Sequence, residues 1–219
     1  MSFLRHISDK PWIPDHRPTV EIHSGMATRA ATTKRGLVLF LSVVTVLFLL
    51  ISIAYLENTS LPEWKPLREP QLLWYNTAIL AFSSLTMQYA RMLAQKDNAI
   101  RARQLLVISA ILAVVFLYAQ VFAWHELLQQ RFFASTNPAY AFFYLMTGLH
   151  GIHILGGVSV LILALGKISN DNNLDAVADM TRLCAIYWHY LLLVWVVLFA
   201  LLLVDNYMVN TFWYGMCRS

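Results

Sequence analysis

Charged residues are scarce in this sequence, and they are absent from the interiors of its long apolar stretches. Asp, Glu, Lys and Arg together make up 13% of the 219 residues, whereas hydrophobic residues make up 58%. Soluble domains carry about 25% charged and about 45–50% apolar residues. Transporters, proton pumps and ion channels usually place ionisable groups within the membrane, so this scarcity argues against all three classes.

Cysteine is also rare, and the positions of the two cysteines argue against a disulfide. Cys184 begins the last apolar stretch and Cys217 lies beyond its other end, so a bond between them would have to cross a bilayer. The chain also has no CxxC pair. We therefore predict no disulfide and interpret Cys184 as a small buried apolar residue.

Five apolar stretches stand out, each at least as long as the about 20 residues that a transmembrane helix needs. They predict an all-α domain of five transmembrane helices over 36–204, with a polar N-terminal arm at 1–35 and a short tail at 205–219. The arm contains three prolines and no apolar segment, so we expect it to be extended and not to be a signal peptide. The predicted helices are 36–56, 72–93, 105–124, 139–165 and 183–204.

Positive charge is distributed unevenly between the two sides that these helices would define. Because Lys and Arg in short flanking segments are retained in the cytoplasm, the imbalance predicts an inner N-terminus and an outer C-terminus. This topology accounts for the net charge of +4, and nothing else in the sequence favours nucleic-acid binding. The twelve inner residues are Arg5, Lys10, Arg17, Arg29, Lys34, Arg35, Arg91, Lys96, Arg101, Arg103, Lys167 and Arg182, and the four outer ones are Lys65, Arg68, Arg131 and Arg218.

The fourth predicted helix combines small residues with histidines in the segment TGLHGIHILGG, residues 147–157. Small residues let helix backbones approach closely, and imidazoles can hydrogen-bond across such a contact. We therefore favour a tight helix–helix seam with hydrogen-bonded histidines. The residues of this predicted seam are Gly148, His150, Gly151, His153, Gly156 and Gly157.

A metal or haem site is the competing interpretation, because His150 and His153 are one helical turn apart and His189 lies on the last helix. At 1.5 Å per residue, His153 would lie about 18 Å from the inner end of its helix and His189 about 9 Å from the inner end of the next. Ligands of one zinc ion converge within about 2.1 Å of it, and two haem ligands face each other across one ring. The difference in depth disfavours both kinds of site.

Two motifs on the last two helices, FYLMTGLHGIHILGG and YWHYLLLVW, resemble subunit III of the haem–copper respiratory oxidases. That family shows F-F-x-x-T-G-F-H-G-x-H-x-x-x-G on one helix and Y-W-H-F-V-D-x-V-W on the last. The segments RGLVLFL, LWYNTAIL and FLYAQVFAW resemble its three earlier helices, so the resemblance covers 35–204. The matching residues of the two motifs are Thr147, Gly148, His150, Gly151, His153, Gly157, Tyr187, Trp188, His189, Val194 and Trp195.

Three acidic positions of the family pattern are apolar in this sequence. The Glu of the first matched helix falls at Val44, the Glu that follows the Gln of the third helix falls at Ala123, and the Asp of the last motif falls at Leu192. A role in proton supply that depends on these carboxylates is therefore not carried over. The scaffold and lipid-binding role that the resemblance implies remains.

The resemblance thus implies a non-catalytic, lipid-binding and stabilising subunit of a terminal oxidase in the cytoplasmic membrane of a bacterium, with the cytochrome c oxidase type favoured. It implies no cofactor in this chain, haem and copper in a partner catalytic subunit (subunit I), and phospholipid partners. A quinol oxidase or nitric oxide reductase as the parent complex, a haem b-binding anchor of a reductase and a small transporter remain open. The residues assigned to a lipid site or a helix seam are Gly148, His150, Gly151, His153, Gly156, Trp188 and His189.

Overall fold

Five α-helices account for most of the structure, which is a computed structural model. It describes residues 18–59, 64, 71–96, 98–133, 137–170 and 174–216, and their side chains over 32–59, 64, 71–96, 98–133, 137–166 and 178–204. The prediction of an all-α chain with five helices is confirmed. The helices are α1 (Pro18–Asn58), α2 (Leu72–Ala94), α3 (Ala99–Gln129), α4 (Pro138–Asn170) and α5 (Leu174–Met216).

Within the described residues, four helices are long and apolar enough to cross a membrane, and α2 is the exception. The length of α2 is sufficient, because 23 residues rise about 34 Å and the hydrocarbon core is about 30 Å thick. Its composition is less apolar because Asn76, Ser83 and Ser84 interrupt it, and all three are buried inside the bundle. The four candidate spans are Thr32–Asn58, Ala99–Gln129, Pro138–Gly166 and Ala178–Val204.

Several helices extend beyond the apolar stretches that predicted them. The N-terminal arm is helical from Pro18 onwards, so the expectation of an extended arm is wrong over 18–35, and 1–17 lie outside the described residues. Pro18 is compatible with this start because the first turn of a helix needs no hydrogen bond from its N–H. At the other end, α5 continues to Met216 through most of the predicted tail. No proline interrupts either extension, so hydropathy marks where the apolar surface ends rather than where the helix ends.

The chain divides after Leu39 into two compact units. The described part of the first unit is the beginning of α1. The second unit contains the rest of α1 and the other four helices, and here α2 and α4 each pack against both α3 and α5. Small buried residues such as Ala90, Ala102 and Ala113 line this packing, which lets the helices approach closely.

Within the second unit, aromatic side chains connect the later part of α1 to its neighbours. Phe48 is buried, and Tyr55 makes edge-to-face ring contacts with Trp64 and Phe142 at 5.1 and 5.9 Å. Polar contacts add to them: the hydroxyl of Tyr190 on α5 bonds the Thr45 hydroxyl of α1 at 2.9 Å and the Leu41 carbonyl of α1 at 3.4 Å. Aromatic rings therefore fill the space between α1 and helices α4 and α5.

The C-terminus of α3 ends in a Schellman motif with an arginine at the position that usually holds glycine. The N–H of Phe132 donates to the carbonyl of Leu127, and the N–H of Arg131 donates to that of Leu128, both at 3.1 Å. Arg131 has a φ of 63°, in the left-handed region. A residue with a Cβ is strained in this region, whereas glycine is not.

Replacing Arg131 with glycine should therefore stabilise the protein by about 0.5–1 kcal/mol, because the strain relieved exceeds the added entropy of the unfolded chain. Thermal unfolding of the purified protein in detergent measures the effect. Gln130→Gly is the matched control, since Gln130 has an ordinary φ of −76° and should lose stability on substitution. A lower midpoint for Arg131→Gly than for the native protein would contradict the assignment of strain.

Candidate functional site

His150 lies at the centre of the second unit, enclosed by aromatic rings from three helices. Its side chain is fully buried. The ring centroids of Trp195, Phe116 and Phe48 lie 5.2, 6.0 and 6.4 Å from that of the imidazole. Among the described residues, neither imidazole nitrogen has a hydrogen-bond partner. No hydrogen bond to a described residue therefore joins His150 to another helix, and the predicted hydrogen bonding of this histidine stays a prediction.

His153, one turn further along α4, faces α1 and bonds within its own helix. Its Nδ1–H donates to the carbonyl oxygen of Leu149 at 2.7 Å. The rings of Phe48 and Phe40 lie 5.5 and 6.2 Å away. A hydrogen bond within one helix does not join two helices, so His153 contributes to the α1–α4 contact through its ring.

His189 is the histidine that does hydrogen-bond across a seam, and both of its nitrogens are used. Nδ1 bonds the hydroxyl of Ser84, and Nε2 bonds the side-chain oxygen of Gln88 at 3.1 Å. Since Gln88 Oε1 can only accept, Nε2 carries the proton and Nδ1 accepts from Ser84. His189 therefore connects α5 to α2 with two bonds of defined direction.

Next to His189, a second set of bonds joins three helices. The indole N–H of Trp188 on α5 donates to the hydroxyl of Ser83 on α2 at 2.9 Å. Ser83 in turn bonds the hydroxyl and the carbonyl of Ser109 on α3. Together with the His189 bonds, these form what we call the serine network. Its members are Ser83, Ser84, Gln88, Ser109, Trp188 and His189.

Two further indole groups bond hydroxyls across helix contacts, a feature that the sequence analysis missed. Trp195 on α5 donates to Thr77 on α2 at 2.9 Å, and Trp124 on α3 donates to Thr147 on α4 at 3.0 Å. Each threonine also donates to the carbonyl four residues earlier in its own helix. The available signal was the presence of Trp and Thr within apolar stretches, but sequence alone does not pair residues this far apart.

The three histidines do not converge on a common point. His189 bonds α2, whereas His153 lies against α1 and His150 lies among aromatic rings. In the part of the chain that the structure describes, no three His, Cys, Asp or Glu side chains are grouped so that they could hold a metal ion. The side chains point in different directions, and His150 lies beside Trp195, which is six residues, or about 9 Å, along α5 from His189.

The glycines of α4 differ sharply in the space around them. A Cβ atom added at Gly157 would lie 2.6 Å from the Tyr187 ring, which is closer than real contacts allow. One added at Gly148 or Gly151 would make ordinary contacts, at 3.5 Å with Trp124 and at 3.6 Å with Leu117. At Gly156 it would have no neighbour within 4 Å. The closest approach of α4 and α5 is therefore at Gly157, and Gly156 does not lie at a helix contact.

The positions that carry acids in the family pattern lie in apolar surroundings. Val44 and Ala123 are buried, and both belong to the apolar cluster that contains Tyr55 and Phe143. Leu192 is partly buried against the neighbouring cluster. These three positions therefore add to the packing of the bundle.

An all-α, multi-pass membrane protein is the class that these features define, with apolar helices and buried polar groups that mostly bond from one helix to another. The family model of cytochrome c oxidase subunit III matches residues 16–207. The chain belongs to this family, and the resemblance recognised from the two motifs is confirmed.

Relatives with this name come from several bacteria. The chain is 30% identical to cytochrome c oxidase subunit 3 of Thermostichus vulcanus over 76% of its own length and 84% of that protein. It is 28% identical to the Synechocystis protein of the same name, over 76% of the chain and 72% of the relative. The match to a probable cytochrome c oxidase subunit 3 of Nocardia farcinica, also 28% identical, covers 57% of the chain and 61% of the relative.

The two adjacent glycines of α4 provide a test of the α4–α5 contact. Gly157→Ala should destabilise the protein by about 1–3 kcal/mol, because Tyr187 would have to move and its hydroxyl bonds the carbonyl of His153 at 2.8 Å. Gly156→Ala is the matched control and should be neutral or stabilising by up to about 1 kcal/mol, since alanine favours the helix. Thermal unfolding compares the two variants. Equal effects would mean that Gly157 does not lie at the contact.

Proposed function

We propose that this chain is the non-catalytic subunit III of a haem–copper terminal oxidase of the cytochrome c oxidase type, and that it binds lipid and stabilises the complex. The observation that carries the proposal is the family match over 16–207. The polar side chains of the serine network are consistent with it, because they are used in holding helices together. A stabilising subunit needs a well-defined fold and no reaction centre of its own.

All five helices cross the membrane in this proposal, including α2. Its polar residues support this placement, because Ser83, Ser84 and Gln88 bond other helices and so need not be exposed to lipid. Its exposed side chains, such as Phe82 and Leu85, are apolar. The excess of Lys and Arg on one side favours an inner N-terminus and an outer C-terminus.

Phospholipid and the catalytic subunit I are the partners that we propose for the exposed apolar surface. Large apolar side chains are more than half exposed along α1, α3 and α4, among them Leu39, Ile111 and Leu163. In a membrane, acyl chains or a neighbouring subunit cover such surfaces. The bacterial origin of the relatives favours the cytoplasmic membrane as the location.

Haem and copper belong to the partner catalytic subunit in this proposal. Subunit III is not a cofactor-bearing member of these complexes, and the described residues bring no three metal ligands together. The electron and proton chemistry would then take place in subunit I, while this chain maintains the packing around it.

Removing this chain from the assembled oxidase should leave the initial turnover rate nearly unchanged over about pH 6–8 and shorten the time for which the enzyme remains active. The reason is that the removed helices supply packing and lipid contacts, and that none of the carboxylates among the described side chains is buried. Oxygen consumption followed over many turnovers measures both quantities, and restoring the chain is the control. An initial rate that falls increasingly as the pH rises, with an unchanged lifetime, would contradict the proposal.

His153→Ala should not change the haem or copper content of the assembled complex, because the imidazole bonds only a carbonyl of its own helix among the described residues. Pyridine haemochrome assays and metal analysis, expressed per complex, provide the measurement. His189→Ala is a companion variant that should lower the yield of complex without changing this ratio, since it breaks two interhelical bonds. Loss of one haem per complex in either variant would favour a haem-binding anchor instead.

A further inference from the structure

Three buried side chains near the centre of the bundle share an unusual property, because each has a polar atom without a hydrogen-bond partner among the described residues. The atoms are both nitrogens of His150, Oδ1 of Asn76 and Nε2 of Gln120. All three residues are almost fully buried, at 0%, 0% and 2% exposure. Buried polar groups nearly always have partners in proteins, so each of these atoms needs an explanation.

The three residues come from different helices but lie at the same level of the bundle. Asn76 on α2 donates to the side-chain oxygen of Gln120 on α3 at 3.1 Å. Across the contact between α3 and α4, Gly148 lies opposite Trp124 and Gly151 lies opposite Leu117. Since these helices are antiparallel, Gln120 is opposite the position of His150.

Ring contacts also indicate that His150 lies near Gln120 and Asn76. His150 contacts the rings of Phe116, one turn from Gln120, and of Trp195. The indole of Trp195 bonds Thr77, the residue after Asn76. Phe116 is one helical turn, about 5–6 Å, from Gln120, so these contacts place the imidazole near the amide pair, and no direct bond joins them.

The hydrogen-bonding capacities of these atoms are complementary to those of water. Gln120 Nε2 can donate and Asn76 Oδ1 can accept, while a neutral imidazole offers one donor and one acceptor. The set therefore contains two donors and two acceptors. A water molecule also has two of each, and a buried water typically makes about 2–4 hydrogen bonds to such groups.

Other occupants fit less well. A direct bond from Gln120 Nε2 to an imidazole nitrogen would keep the Asn76–Gln120 bond, but it would leave Asn76 Oδ1 and the other imidazole nitrogen without partners, and no such bond is present in the structure. A metal ion would find a single imidazole beside two amides, and the described residues offer no cluster of three anionic or imidazole ligands. A side chain of another protein cannot reach an imidazole with no exposed surface.

We propose that Asn76, Gln120 and His150 form a binding site for one or two internal water molecules, which bridge the imidazole to the amide pair within the membrane-embedded bundle. The bound water links α4 to the Asn76–Gln120 pair, which already joins α2 to α3. It thereby gives His150 a defined ring orientation.

A structure of the assembled oxidase at a resolution that shows ordered water tests the proposal without any substitution. We expect density for water within about 3.2 Å of an imidazole nitrogen of His150 and of Gln120 Nε2 or Asn76 Oδ1. The serine network provides an internal comparison, because its groups are bonded directly to each other and should bind no bridging water. A direct bond between His150 and either amide, or a site without water density, would overturn the proposal.

A double-mutant cycle provides a second, independent test. His150→Phe keeps an aromatic ring in the site, and Asn76→Leu combined with Gln120→Met removes the amide pair at similar volume. If water bridges the two, His150→Phe should lower the midpoint of thermal inactivation less in the amide-free background than in the native one, by about 2 °C or more.

His150→Phe combined with Ser109→Ala is the matched control for the cycle. Ser109 is seven residues from Phe116 on α3, or about 10 Å away, and bonds Ser83 directly, so these two effects should add. Coupling in the amide cycle with additivity in the control supports the bridging water. Additivity in both cycles, within error, would show that His150 is not linked to the amides and would overturn the proposal.

Discussion

The hydrocarbon region of a membrane offers no water to polar groups, so the polar side chains of α2 need hydrogen-bond partners on other helices. A helix with three buried polar residues in its apolar sequence can lie among lipids only if those residues bond other helices. Ser83 and Ser84 do so through Ser109, Trp188 and His189. The helix whose composition falls short of a candidate membrane span thus packs against both α3 and α5.

Tryptophan is well suited to this arrangement because one side chain combines a large apolar ring with a single donor. Trp188 and Trp195 bury their rings in the bundle and direct their indole N–H groups to hydroxyls of α2. Dispersion contacts alone would allow neighbouring helices to slide, since many apolar packings have similar energy. A directional bond from a rigid ring favours one register, so these pairs specify the α2–α5 contact as well as stabilise it.

The sequence was sufficient to locate the helices and the family but not the partners of individual side chains. Apolar length predicted all five helices, yet α1 begins at Pro18 and α5 ends at Met216, because backbone hydrogen bonding continues beyond the apolar surface. Gly156 and Gly157 are adjacent, and the sequence does not distinguish them. Successive residues of a helix are rotated by about 100° around its axis, so only Gly157 lies against Tyr187. The direction of a side chain depends on packing between helices, which a single sequence does not reveal.

The packing between helices determines which groups surround each histidine. His189 has two bonding partners on α2, whereas His150 is enclosed by rings and lies opposite an amide pair. Val44 and Ala123, the positions at which the family pattern recognised in the sequence has glutamate, lie buried in one apolar cluster. A buried carboxylate would bring a charge that needs a compensating partner, whereas amides, hydroxyls and imidazoles can be satisfied by neutral hydrogen bonds. The polar groups of this bundle can therefore hold helices in register without the desolvation cost of an ion, which agrees with the stabilising role that we propose.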